Sequence, residues 1–221
     1  MPPWLLLGSV LALVAFLSRA PSSSSQAPGA PPQPIRRPRV AHIGDSLTAY
    51  TEKSLHDAYA VEGLDATIHA HGARAILQKL SADTATGKQA AQALSSAQGS
   101  TPFDVWVIAL GTNDTANVAV GAAYTRAQAI DQMMGVLPAG APVVWVDTFS
   151  QLSTTPYSNA NMLAWNAALE AAKARWPNLI VYPWSVVAKT GAAKFSDGLH
   201  HTSAGYDVRN RAIAHFIAYF V

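Results

Sequence analysis

No cysteine occurs in the 221-residue chain, which excludes disulfides, thiolate metal ligands, a cysteine nucleophile and lipid attachment at an N-terminal cysteine. Charge is scarce too: Asp, Glu, Lys and Arg make up 13% of the residues, and the formal net charge is only +2. The few cations are scattered or confined to the N-terminal arm. No basic stripe tracks a nucleic-acid backbone, and no nucleic-acid partner is expected. What the chain does have is apolar residue, half of the total, enough for one domain with a sizeable core.

Residues 4–17 are almost wholly apolar and are followed by Ser18-Arg19-Ala20, a small-x-small cleavage pattern. Residues 1–20 therefore read as an export signal. A short membrane anchor is the alternative, because Arg19, Arg36, Arg37 and Arg39 all follow the apolar run, where positive charge opposes export. The run is shorter than the roughly 20 residues of a comfortable membrane span, which favours the signal. The expected location is secreted or cell-envelope associated, with a membrane tether if the segment is retained. Residues 21–38, rich in Pro, Ser, Ala, Gly and Gln without apolar periodicity, read as a disordered linker. The folded domain is expected over 39–221.

Within it, short β-branched runs alternate with longer Ala-rich segments, the pattern of βα units on a parallel sheet. Strands are expected at 39–44, 66–71, 104–110, 142–147 and 179–182, and helices at 46–61, 74–97, 121–136 and 159–176. The unbroken apolar run Val105-Trp106-Val107-Ile108-Ala109 predicts a strand buried on both faces at the centre of the sheet. Thr202 is the expected N-cap of a last helix whose Val208, Ala212, Ile213, Phe216, Ile217 and Phe220 recur at helical spacing. The fold class is α/β, a three-layer α/β/α arrangement with a flavodoxin-like five-stranded parallel sheet.

Ligands of open parallel sheets bind at the carboxyl ends of the strands, and polar residues collect there in this sequence. Strand one ends in Gly44-Asp45-Ser46-Leu47-Thr48, strand three in Gly111-Thr112-Asn113-Asp114, and the loop before the last helix reads Asp197-Gly198-Leu199-His200-His201-Thr202. A serine hydroxyl needs a base within hydrogen-bond reach and a third group to hold that base. Asp197 and His200, three residues apart in a tight loop, supply such a pair for Ser46. Donors for an oxyanion are available from the Ser46 amide at the start of a helix, from Gly72 directly after strand two, and from the Asn113 side chain. Alone, each string reads as easily as a capped turn; their joint occurrence in order is what points to catalysis.

These residues resemble the SGNH, or GDSL, hydrolases, named for Ser, Gly, Asn and His in four sequence blocks. Gly44-Asp45-Ser46-Leu47 matches the first block, Gly111-Thr112-Asn113-Asp114 the third, and Asp197-Gly198-Leu199-His200 the last. The resemblance implies that Ser46 is nucleophile and first oxyanion donor, Asn113 the side-chain donor, and His200 the base oriented by Asp197. Gly72, within His71-Gly72-Ala73-Arg74, would be the second-block glycine. His201 stands where many members have proline or leucine. Residues 195–202 and 161–166 are also similar to the hydrolase domains of bacterial glycan O-acyltransferases and O-acetyl esterases, which ranks substrates.

Around this core, Asp147, Thr148, Trp184, Phe195 and His201 are expected near the substrate, and Asp45 is expected either to contact the site or to cap a helix. His69 and His71 share one face of strand two, but no third ligand accompanies them in sequence, so neither metal nor cofactor is expected. The implied activity is hydrolysis of short-chain acyl or O-acetyl esters, of small molecules or glycans, through an acyl-enzyme. Two rivals stand beside it: transfer of the acyl group to a cell-envelope glycan by the same triad, and a non-catalytic flavodoxin-like binding module.

Overall fold

The computed structural model describes residues 36–221 except Asp83; the signal reading and nearly all of the linker reading lie outside the described residues. β1 (Arg39–Gly44), β2 (Asp65–Ala70), β3 (Val105–Ala109), β4 (Val143–Val146) and β5 (Leu179–Tyr182) form one five-stranded sheet in the order β2-β1-β3-β4-β5, with every pairing parallel. All five residues of β3 are buried, in the central position that its apolar run predicts. Gly44 is level with Ala109 in the β1–β3 register, so the polar segments after these two strands emerge side by side.

Side chains alternate between two cores, one on each face of the sheet, as a period of two requires. Trp106, Ile108 and Trp145 pack with residues of α3 (Gly87–Ala97), α5 (Arg126–Met134) and α6 (Asn159–Ala172). Val105, Val107 and Val144 pack with α2 (Glu52–Val61), α7 (Trp184–Lys189) and α8 (Ser203–Ala218). The result is the three-layer α/β/α arrangement.

The helices depart from the sequence expectation at places that matter for the site. A single helix over 46–61 is replaced by α1 (Ser46–Ala49) and α2, broken at Tyr50 and Thr51. Tertiary hydrogen bonds make the break. The Leu47 carbonyl, which a continuous helix would give to the Thr51 amide, accepts from Arg209 Nη1 at 3.2 Å, while Thr51 N donates to Thr48 O instead. Thr51 Oγ1 in turn accepts from Asn210 of α8. The 74–97 segment is helical only in α3, which starts at a capping box made by Thr86 and Gln89. A helix expected over 121–136 is shortened to α5, which opens on a capping box of Thr125 and Gln128. Two helices were not expected: α4 (Thr112–Ala119), whose Thr- and Asn-rich start has poor helix propensity, and α7. Gly111 precedes α4 at φ +128°, and a Cβ there would sit 2.3 Å from Trp165 Nε1, so only glycine permits this entry.

Candidate active site

Ser46 is the first residue of α1, held there by Asp45, whose carboxylate caps the helix by accepting from Leu47 N at 2.9 Å. A Cβ at Gly44 would lie 2.3 Å from Thr48 Oγ1, so glycine lets the helix start directly off the strand. Asp45 is fully buried, which pushes its carboxyl pKa up against the Leu47 amide and the nearby Arg209 charge. Behind it His42 bonds Tyr59 Oη at 2.9 Å; burial, and then Arg209, lower its pKa to about 3, so it is a neutral core group.

The loop before α8 brings His200 onto the serine. Ser46 Oγ and His200 Nε2 are 3.0 Å apart, and His200 Nδ1 lies 2.8 Å from Asp197 Oδ2. The other Asp197 oxygen accepts from the amides of Leu199 and His200 at 2.8 and 2.6 Å. Burial tends to raise the Asp197 pKa, but the His200 ring and these two amides outweigh it and hold the carboxyl at about 2. Asp197 therefore stays ionised and fixes the imidazole tautomer that leaves Nε2 facing the serine. The loop is braced by a bridge between Phe195 and His201 and by Gly198 O, which accepts from Gln151 N at 2.7 Å.

The opposite wall is the turn His71-Gly72-Ala73-Arg74, closed by Arg74 N donating to His71 O at 3.3 Å. Gly72 O accepts from His71 Nδ1 at 2.7 Å. Because the C=O and N–H of one peptide point opposite ways, the Ala73 amide is aimed away from His71. Ala73, rather than Gly72, lines the cleft in front of Ser46, together with Asn113 and Thr112 at the start of α4. Asn113 Nδ2 gives one hydrogen to Arg74 O at 3.0 Å, and Tyr157 Oη donates toward Asn113 Oδ1 at 3.4 Å. This orients the amide, and among the described residues its second hydrogen has no partner.

The cleft, about 220 Å³, is completed by Tyr50, Tyr157, Leu199 and His200. Sequence reasoning did not single out Tyr50, Ala73, Thr112, Tyr157 or Leu199. Thr112 and Leu199 lie inside the third and last motifs, and Tyr50 follows the first closely enough to have been signalled. Tyr157 had no such cue. Tyr50 is 66% exposed and its ring centre lies 5.6 Å from that of His200.

The other residues expected near substrate do not line the cleft. Asp147 is buried and accepts from Ser185 N and Ser185 Oγ, both at 2.6 Å. Burial raises its pKa to about 6 against those two bonds. Thr148 bonds Asn166 of α6 through N and Oγ1, each at 2.9 Å, so this pair ties the end of β4 to α6 and α7. Trp184 and His201 are buried, and the His201 ring packs against Phe195, Tyr206 and Trp184 with centres 4.3, 5.1 and 5.5 Å away. Burial, then Arg209, lower the His201 pKa to about 3, and the ring serves as an aromatic wedge under the loop. Phe195 stacks on Phe149 and His201. His69 and His71 belong to no cluster of three metal-ligating side chains among the described residues.

A hydroxyl, a base, an ionised orienting group and amide donors thus surround one small cleft at the carboxyl edge of the sheet, the set that acyl transfer requires. Among solved structures, the fold is similar to the C-terminal catalytic domain of Streptococcus pneumoniae peptidoglycan O-acetyltransferase A with a methylsulfonyl adduct, at TM-score 0.59 and 21% identity over 83% of this chain and 92% of that one. It is also similar to Est24, a carbohydrate acetylesterase from Sinorhizobium meliloti (TM-score 0.63, 19% identity, 84% and 100% covered). An inhibitor-bound aryl esterase of M. smegmatis gives TM-score 0.60 and 17% identity, with 83% and 100% covered. No curated protein matches the sequence. The model of the GDSL-like lipase/acylhydrolase family matches residues 42–208, which include every motif of the site, and the chain belongs to that family of carboxylic ester hydrolases.

Proposed function

We propose that the protein is a secreted serine esterase that hydrolyses short-chain acyl esters, O-acetyl esters of glycans foremost, through an acyl-enzyme on Ser46. The carrying observation is the unbroken relay of 3.0 Å from Ser46 Oγ to His200 Nε2 and 2.8 Å from His200 Nδ1 to Asp197. Ser46 Oγ attacks the ester carbonyl as its proton passes to His200 Nε2, and the imidazolium returns that proton to the departing alcohol. Water, activated by the same imidazole, then releases the acid. The charge on the carbonyl oxygen is met by the amides of Ser46 and Ala73, with Gly72 beside them, and by Asn113 Nδ2. A cleft of about 220 Å³ suits a small acyl group. The exposed Tyr50 ring at its rim supports a ring-bearing alcohol such as a sugar. Export rests on the apolar residues 4–17 and the Ser18-Arg19-Ala20 pattern.

Replacing Ser46 with Ala is expected to abolish release of nitrophenol from p-nitrophenyl acetate without changing the circular dichroism spectrum; turnover at the wild-type rate would end this reading. Transfer to a sugar hydroxyl is the second reading. It is favoured by the likeness to a peptidoglycan O-acetyltransferase domain and by an open cleft whose aromatic rim suits an acceptor sugar as well as a donor. Mass spectrometry of a glycan acceptor incubated with an acetyl donor separates the two, since only transfer yields newly acetylated sugar.

A further inference from the structure

Ala73 is the only non-glycine residue at positive φ among the described residues, at +57°. A side chain in that conformation is strained and persists only where its surroundings fix the backbone. The turn and the residues after it are gripped by two neighbouring residues of α4. Asn113 Nδ2 donates to Arg74 O at 3.0 Å, and both carboxylate oxygens of Asp114 accept from Ile76 N, at 2.9 and 3.1 Å. Asp114 is completely buried and does not line the cleft. Its Oδ1 also accepts from Tyr124 Oη at 3.1 Å, and Tyr124 Oη accepts from Asn117 Nδ2 at 3.2 Å. A carboxyl buried this deeply is costly unless it is hydrogen-bonded, and these bonds to Ile76 N and Tyr124 Oη supply that.

We infer that Asp114 is a positioning residue of the oxyanion hole. By holding the Ile76 amide, it locks the strained turn that presents the Ala73 N–H to the helical turn that presents Asn113, so that the two donors stand as one rigid unit. This rests on the Ser46 acyl-enzyme reading. Asp114 exchanges no proton with substrate; it acts only through the backbone of Ala75 and Ile76.

Because those donors meet charge that develops in the transition state, losing the lock lowers kcat and leaves KM nearly unchanged. The test measures kcat and KM for p-nitrophenyl acetate on Asp114→Ala, Asp114→Asn and Tyr124→Phe, each at a temperature where circular dichroism shows it folded. Asp114→Ala is expected to lose about 100-fold in kcat, the size of one lost oxyanion donor. Asp114→Asn, whose side-chain oxygen still accepts from Ile76, is expected to recover much of that. Tyr124→Phe should show a smaller loss in the same parameter. A folded Asp114→Ala with wild-type kcat, or a loss confined to KM, overturns the inference. If Asp114→Ala does not fold, Tyr124→Phe decides, and wild-type kcat there overturns it. An inactive Ser46→Ala beside a fully active Asp114→Ala would sink this inference alone, whereas an active Ser46→Ala would sink the acyl-enzyme reading beneath it.

Discussion

The loop carrying Asp197 and His200 and the turn carrying Ala73 face each other across one cleft but are held by opposite means. In the first, the carboxylate that holds the imidazole is bonded locally and in the open, while the loop backbone is braced from Gln151. Asp197 bonds the backbone two and three residues ahead and the ring three residues ahead, and its side chain is 56% exposed. The second is organised from far away and in the dark: Asp114 reaches Ile76 across 38 residues of sequence from a fully buried position. Local bonds of this kind form within the loop's own few residues. A remote one ties the geometry of the cleft to the packing of distant segments.

That difference can be broken experimentally, and the largest effect belongs to the open side. Asp197→Asn removes the charge that fixes the His200 tautomer and is expected to cut kcat by about 10³- to 10⁴-fold. Because the residue is exposed and its contacts are local, the melting temperature should move by no more than about 2 °C. A fall of many degrees would show that the loop is not self-contained.

The next effect sharpens the contrast through pH. Burial pushes the Asp114 carboxyl to about 7 from its ordinary 3.8, so the native chain holds that proton more tightly than the unfolded chain does. Its contribution to stability is then full below about pH 4 and is lost as pH rises toward 7. Asp197, held at about 2, runs the other way. Its contribution is present above about pH 4 and fades as pH falls toward 2, though exposure keeps it small. Urea unfolding of wild type and Asp114→Asn between about pH 4 and pH 7 should show wild type losing ground to the variant as pH rises. A difference independent of pH would mean that Asp114 does not titrate in this window.

The smallest effect is expected at Ala73 itself. Glycine adopts positive φ without penalty, so Ala73→Gly should relieve strain while loosening the unfolded chain. The net change in melting temperature is expected to stay within about 3 °C. A large destabilisation, read by thermal melts, would show that the methyl group packs as part of the wall.

What was readable in advance follows the same division. Gly44-Asp45-Ser46, Asn113 and the Asp197 to His200 pair were legible because each is a short string whose chemistry is local, and the apolar run of β3 places it in the middle of the sheet for the same reason. The helix break at Tyr50 was not legible, since it is made by Arg209 taking the Leu47 carbonyl from more than 160 residues away. Nor was the presence of Ala73 at the cleft wall, because a glycine in sequence does not say which residue of its turn meets a neighbouring segment. Trp184, Phe195 and His201 lie close in sequence to the catalytic loop, yet they pack beneath it.

By itself, then, the sequence determined the family, the sheet and the candidate side chains that meet at its carboxyl edge. These depend on hydrophobic periodicity and on motifs that fold within a few residues. Tertiary structure decided which residues line the cleft beside the serine and which buried carboxylate bonds the backbone after the Ala73 turn. Those outcomes are contacts between segments far apart in the chain, and the pattern within any one segment carries no trace of its partner.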